Sequence, residues 1–154
     1  VDPLPTVEIS ESFDGPEWTE QSGDWAVTAP SGTWEGDQHS SLHIRHDASV
    51  ARSDTGAIEG NYSGDYVIPP TPAGLPVGVV LWARRVRSDD SATVNLQEYD
   101  GTTWTQTDSQ SIGSIVYEKV RLNVVLNNPD SGQKIRIACD DVYIDDVEVY
   151  TVPR

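Results

Sequence analysis

Apolar and polar residues alternate along most of this chain, and clusters of Gly, Pro, Ser, Asp and Asn interrupt the alternation roughly every 8 to 15 residues. A period of two places alternate side chains on opposite faces of a strand, whereas a helix would need apolar residues three and four apart. The pattern therefore predicts an all-β protein, a sandwich or barrel, with strands over 6–13, 24–28, 41–46, 49–52, 66–68, 77–87, 92–99, 103–107, 117–126, 134–139 and 142–152. Turn signals such as Ser22-Gly23-Asp24, Ser31-Gly32, Pro69-Pro70 and Asp100-Gly101 punctuate these runs. No internal repeat and no long linker divides the chain, so 1–154 is read as one domain.

Alternation also assigns faces. In 77–87 the inward set is Val79, Leu81 and Ala83, which sends Trp82 and Arg84 outward. In 92–99, Val94 and Leu96 go inward and leave Asn95, Gln97 and Tyr99 outside. In 117–126, Val120, Leu122, Val124 and Leu126 go inward, and Lys119, Arg121 and Asn123 face out. Were these three strands to share one sheet, its outer face would combine aromatic rings, guanidinium forks and carboxamides. Planar amides and Arg forks hydrogen-bond vicinal hydroxyls or carboxylates, and a ring offers an apolar platform for the C–H face of a sugar. That is the equipment of a glycan groove. The plainer alternative is that the outer face of any half-buried antiparallel sheet is polar by rule, in which case Trp82 packs beneath a loop.

The other aromatic residues divide by context. Trp25, between Asp24 and Ala26-Val27, is expected to plug the core, and Trp104, after the Asp100-Gly101 turn, either caps the sandwich or borders the groove. Trp18 and Trp34 stand in Gly- and Pro-rich surroundings, where a large ring must be covered or used. Tyr62 and Tyr66 flank Ser63-Gly64-Asp65 as loop candidates.

Composition narrows the function. The 154 residues carry 25 Asp plus Glu against 10 Lys plus Arg, a formal charge of −15, with one Cys and no Met. Such a field repels phosphate backbones and anionic membranes, and the cations form no run, so nucleic acid is excluded as the expected partner. The longest strongly apolar stretch, 75–83, is far shorter than the roughly 20 residues of a membrane-spanning helix, so no membrane insertion is expected. One Cys excludes an internal disulfide and a cysteine-held metal, leaving oxygen or histidine ligands. No cationic start precedes an apolar stretch, and a chain opening on Val1 is read as a mature or excised piece.

Catalytic signatures are missing. There is no Glu-x-Asp-x-x-Glu strand motif, no Gly-x-Ser-x-Gly elbow, no phosphate-binding loop and no dinucleotide fingerprint. His39, His43 and His46 crowd into one strand, with His43 facing out, and make a weak case for zinc or catalysis. Calcium suits the chain better, because a hard cation takes carboxylate and carbonyl oxygens from irregular strand ends. In the last strand the apolar register slips from Val142 and Ile144 to Val147 and Val149, which predicts a bulge at Asp145-Asp146 that turns a carboxylate sideways. Glu11 to Asp14 and the Glu35-Gly36-Asp37-Gln38 loop offer more oxygens.

The order of these features resembles a known architecture. Phe13-Asp14-Gly15, Trp18, Ser22-Gly23-Asp24-Trp25 and the Gly36 loop into Ser41-Leu42-His43-Ile44 are similar to the opening of jelly-roll modules in two related groups. These are the calcium-containing carbohydrate-binding modules of polysaccharide-degrading enzymes and the extracellular MAM domains. Val80-Leu81-Trp82-Ala83-Arg84, Tyr99-Asp100-Gly101-Thr102-Thr103-Trp104 and Tyr143-Ile144-Asp145-Asp146-Val147 extend the likeness over nearly the whole chain. MAM domains carry paired cysteines, whereas this chain has only Cys139, so the carbohydrate-binding group is favoured. The resemblance implies a two-sheet antiparallel β-sandwich of jelly-roll type. It also implies one structural Ca2+ held by Asp14, Asp37 and Asp145, tying the two ends of the chain together and remote from the sugar.

The expectation is a non-catalytic carbohydrate-binding module, extracellular and monomeric within a larger polysaccharide-active enzyme, a glycoside hydrolase or polysaccharide lyase. It would bind a polysaccharide or oligosaccharide through Trp82, Arg84, Asn95, Gln97, Tyr99, Arg121 and Asn123, with Trp104 at the edge. Two Arg on that face of an anionic protein favour a uronic or sulfated sugar. The alternative is a structural or adhesive module of a cell-surface or virion protein, using the same face against a protein.

Overall fold

The computed structural model describes residues 4–38, 41–87, 91–125 and 134–154. Within them the alternation yields thirteen strands and no helix: β1 (Thr6–Glu11), β2 (Gln21–Ser22), β3 (Trp25–Ala29), β4 (Gly32–Asp37), β5 (Leu42–His46), β6 (Gly56–Gly60), β7 (Tyr66–Ile68), β8 (Leu75–Arg85), β9 (Thr93–Tyr99), β10 (Trp104–Ser111), β11 (Glu118–Asn123), β12 (Ile135–Asp140) and β13 (Val142–Val152). All pairings are antiparallel. A seven-stranded sheet runs β11-β8-β13-β6-β5-β2, with β1 also paired to β13. A six-stranded sheet runs β10-β9-β12-β7-β4-β3. Their inward side chains form one apolar core, in which Leu81, Ala83, Leu96, Val94, Val120, Ile137 and Cys139 are fully buried.

Two expectations need correction here. The strands over 77–87, 92–99 and 117–126 do not share a sheet: β8 and β11 are neighbours, but β9 belongs to the other sheet, between β10 and β12. Both edges of β8 are taken, one by β11 and the other by β13, so no ladder is left for β9. The segment 49–52 is a turn and not a strand. The Asp47 carboxylate accepts from both the backbone N–H and the hydroxyl of Ser49 and fixes that turn.

The core is anchored at one end by aromatic rings. Phe13 meets Trp18 and Trp34 edge-on, at centroid distances of 4.9 and 5.4 Å, and Trp18 meets Trp25 and Trp34 at 5.9 and 6.2 Å. Trp18 and Trp34 are wholly buried, so both are covered, and Trp25 plugs the core as expected. Each such pair contributes about 0.5–1.5 kcal/mol beyond area burial. That gain offsets an awkward backbone, because Phe13 sits at φ 61°, a left-handed conformation costing a side chain roughly 1–2 kcal/mol. Its amide donates to Glu11 Oε2 at 2.9 Å, which holds the turn.

The two ends of the chain meet through backbone pairing. Thr6 lies opposite Thr151 and Glu11 opposite Val147. Glu8 accepts from Ala73 N, Gly74 N and the Thr151 hydroxyl. The expected bulge is present, with the β13 register against β8 shifting between Asp145 and Glu148 and Asp146 at φ 49°.

Candidate functional site

The eight expected ligand-binding residues divide equally between the two outer faces. Trp82, Arg84, Arg121 and Asn123 lie on the seven-stranded sheet, and Asn95, Gln97, Tyr99 and Trp104 on the six-stranded one. Trp82 and Arg121 do share a face: Lys119 is opposite Trp82 and Arg121 is opposite Val80. They line different hollows, however, Trp82 one of about 530 Å³ with Glu11, Glu17, Asp146 and Glu148, and Arg121 one of about 300 Å³ with Gly78 and Tyr150.

On the seven-stranded sheet the aromatic and guanidinium groups are occupied with one another. The segment 47–55, which joins β5 to β6, lies over this face. The Arg52 guanidinium sits 3.7 Å above the Trp82 ring and pairs with Asp146 at 2.7 Å. Tyr117 donates its hydroxyl to Val50 O. Arg84 stands over Tyr143 at 4.5 Å and over Tyr117 at 5.4 Å. Burial raises the Tyr117 pKa, with Asp145 adding to the effect. Glu59, 7% exposed, accepts from Arg45 Nη1 and Asn61 Nδ2, each at 2.9 Å. Trp82 thus packs beneath a loop, the plainer of the two sequence readings.

The three expected calcium ligands do not form one donor set. Asp145 is wholly buried and accepts from the backbone amides of Arg52, Ser53 and Asp146. Burial, seconded by Asp146, pushes its pKa up to about 7 against the lowering effect of those amides. Asp14 Oδ1 accepts from the amides of Thr55 and Gly56, at 3.0 and 2.7 Å. Both carboxylates therefore anchor the same segment through N–H donors. Asp37 is on the other sheet, exposed on β4 opposite Tyr66. Among the described residues no group of three or more His, Cys, Asp or Glu could hold a metal ion. His39 lies outside the described residues, His43 bonds Ser41 Oγ through Nε2 at 2.6 Å, and His46 is exposed at the end of β5.

On the six-stranded sheet a row of planar groups crosses β7, β12, β9 and β10. The Arg136 guanidinium lies 3.5 Å over the Tyr66 ring and 4.3 Å over the Trp104 ring, and its Nε donates to Gln97 Oε1 at 2.7 Å. Trp104 continues the row to Tyr99, with centroids 5.0 Å apart and a tilt of 36°. Register explains the assembly, since Arg136 is opposite Gln97, Tyr66 opposite Asp37 and Trp104 opposite Tyr99. All of these groups except exposed Asp37 are half-exposed. Burial lowers the Arg136 pKa, while Tyr66 and Asp37 work to raise it. Beside the row, a shallow hollow of about 470 Å³ is lined by Asp24, Trp25, Glu35, Asp37 and Ile68.

Sequence reasoning missed Arg136 and underweighted Tyr66. Arg136 stands between Ile135 and Ile137 in the alternation that sends Arg121 outward, so an outer position was legible. Its partners were not, because alternation does not say which strands are neighbours.

No protein-family model matches the chain, and no curated protein matches it in sequence. Solved structures do share its architecture. The CBM22-1 xylan-binding domain of Paenibacillus barcinonensis Xyn10C superposes with a TM-score of 0.67 at 10% identity, over 100% of this chain and 99% of that domain. TmCBM61, solved with β-1,4-galactotriose, gives 0.51 at 14% identity, over 80% of this chain and 90% of its own. The K3 adhesin domain of the Lys-gingipain of Porphyromonas gingivalis gives 0.54 at 10% identity, over 95% and 99%. At these identities the likeness establishes the fold, an all-β jelly-roll sandwich.

Proposed function

We propose that this chain is a non-catalytic glycan-binding module whose platform is the outer face of the six-stranded sheet. The observation that carries the reading is the half-exposed row Tyr66, Arg136, Trp104 and Tyr99, braced by Gln97. Stacked planar groups lose little entropy when a ligand arrives, so the row is pre-organised. Ring edges and faces meet the C–H surfaces of a sugar, while Arg136, Gln97 and Asn95 donate to hydroxyls and Asp37 accepts from them. Carbohydrate-binding modules among the structural neighbours, for xylan and for β-1,4-galactotriose, support the reading.

The glycan on this platform is neutral. Arg136 is engaged by two rings and lies beside Asp37, and exposed Lys134 on the same face shares a hollow with Glu35, so the carboxylates of this face match its cations. The cations that would favour an acidic sugar, Arg121 and Lys119, are on the opposite sheet. A module of this kind works outside the cell, attached to a polysaccharide-active enzyme.

Affinity electrophoresis against neutral and anionic polysaccharides tests the reading. Retardation by a neutral β-linked glycan is expected, and Trp104→Ala should weaken it about tenfold or more while the fold persists. No retardation by any polysaccharide would overturn the proposal. The adhesive alternative has its own support in the gingipain adhesin domain. It requires the Tyr66 to Tyr99 row to be covered by protein, so a monomer in light scattering that binds glycan excludes self-association through that face.

A further inference from the structure

Register on the outer face of the seven-stranded sheet sets three successive rungs across β11, β8 and β13: Lys119, Trp82, Asp145; then Arg121, Val80, Glu148; then Asn123, Gly78, Tyr150. The middle position of the third rung has no side chain. Adjacent strands lie about 4.8 Å apart, so the outer two backbones of that rung are about 10 Å apart with an empty place between them. A Cβ built at Gly78 would press on the neighbouring backbone at Leu122 O, 3.0 Å away, and otherwise reach only Asn123 Oδ1 and Leu122 C at 4.0 Å, so the room lies above the strand and not beside it. The space above it is the hollow of about 300 Å³, which Tyr150, Asn123, Val80 and Arg121 line.

The charge of this hollow sets it apart. Glu11, Glu17, Asp146 and Glu148 line the hollow beside Trp82, and Asp24, Glu35 and Asp37 the one beside the aromatic row. Among the described residues the one charged group lining this hollow is Arg121. Arg121 is exposed and makes no hydrogen bond, ion pair or ring contact among the described residues. Lys119 faces outward one rung away on the same strand. Glu148 of the Arg121 rung lines the neighbouring hollow beside Trp82. In a chain of net charge −15, a hollow whose described lining holds no carboxylate and which stands next to two cations is complementary to an anion. Its floor selects further, because Val80 and the Tyr150 ring suit the C–H surface of a sugar ring, and the Asn123 carboxamide suits a hydroxyl.

We propose that this hollow is a second ligand site, on the sheet opposite the neutral-glycan platform, and that it takes one uronic acid residue. The carboxylate meets the Arg121 fork, the ring lies in the space left by Gly78 against Tyr150, and a hydroxyl reaches Asn123. The assignment goes beyond the reading of the other sheet and stands without it.

The test is a two-dimensional amide NMR titration of the full chain with tri-galacturonate, with xylotriose and acetate as parallel probes. Tri-galacturonate should shift Gly78, Arg121, Asn123 and Tyr150, and Arg121→Gln should weaken it tenfold or more without changing the response to xylotriose. Gly78→Val, which fills the space, should act in the same direction, and the exposed Arg121→Gln decides the matter if the valine variant does not fold. Trp104→Ala should leave tri-galacturonate affinity unchanged. The site is refuted if tri-galacturonate shifts none of these residues, if Arg121→Gln changes its affinity less than twofold, or if acetate at equal concentration produces the same shifts. Tri-galacturonate binding here with no glycan response on β9 and β12 would remove the platform on the other sheet and leave this site standing.

Discussion

The two outer faces of the sandwich are built from the same kinds of residue, Arg, Tyr and Trp with carboxamides and carboxylates between them, and they differ in what lies above. On the seven-stranded sheet the segment 47–55 crosses the strands: Arg52 covers Trp82, Val50 O takes the Tyr117 hydroxyl, and buried Asp145 gathers the amides of Arg52 and Ser53. On the six-stranded sheet the stacked row from Tyr66 to Tyr99 stays half-exposed. Cation–π pairs alone therefore do not mark a binding face. One set closes a loop onto a sheet, and the other stays half-exposed, which is what the proposed glycan platform requires.

The comparison breaks most forcefully at Asp145. Replacing it with Ala strips the acceptor from three backbone donors, two of which hold the covering segment. Leaving such donors buried without partners costs roughly 2–4 kcal/mol, and a chain of this size loses roughly 6–12 °C of melting temperature for it. Glycan affinity, measured where the variant is folded, should not change. A simultaneous loss of affinity would mean that the two faces are not separate devices.

The converse change is Arg136→Ala. It removes the group between the Tyr66 and Trp104 rings, and glycan affinity should fall about tenfold, equivalent to about 1.4 kcal/mol. Thermal stability should change by less than about 1 kcal/mol, because the guanidinium is half-exposed and its interactions are screened. Calorimetric titration beside a thermal melt reads both quantities, and a large drop in stability with affinity intact would reassign the row to the fold.

How far the sequence carries this comparison follows from what alternation encodes. It places Val79, Leu81, Val94, Leu96, Val120 and Leu122 in the core and the intervening residues outside, and it marks the bulge at Asp145-Asp146 through the slipped apolar register. Sheet membership is not encoded, since any strand with one buried face reads alike, so alternation alone does not separate β9 from β8 and β11. Gly56–Gly60 escapes the pattern because all five of its residues are buried and two are glycines. Gly56 is required there, for a Cβ would overlap the Phe13 carbonyl. Leu126 and the 127–132 turn cluster lie outside the described residues. The row on the six-stranded sheet depends on β7 and β12 being neighbours, a long-range pairing that local pattern does not reach.

A smaller effect separates the faces by pH. Burial holds the Tyr117 pKa above its ordinary value of 10.0. Above that value the unfolded chain releases the phenolic proton while the folded chain keeps it, so stability falls as pH rises. The slope from this one group approaches about 1.4 kcal/mol per pH unit. Tyr117→Phe should remove that share of the slope in melts between pH 9 and 11. Buried Cys139, whose pKa is also raised, contributes a parallel loss that the Phe variant retains. An unchanged slope would mean that the Tyr117 hydroxyl is not held beneath the segment.

The mildest change concerns the cover over Trp82. Arg52→Ala removes a cation–π contact worth about 0.5–1 kcal/mol and a partly exposed ion pair with Asp146 that adds about 1 kcal/mol at most. The backbone amides of residues 52 and 53 still donate to Asp145, so the segment should stay closed while the indole loses its lid. In a Trp104→Phe background, where the remaining Trp18, Trp25 and Trp34 are buried, emission should move to longer wavelength and acrylamide quenching should rise. Amide exchange at Ser53 should remain slow. Fast exchange there would show that the Arg52 side chain, and not Asp145, closes this face.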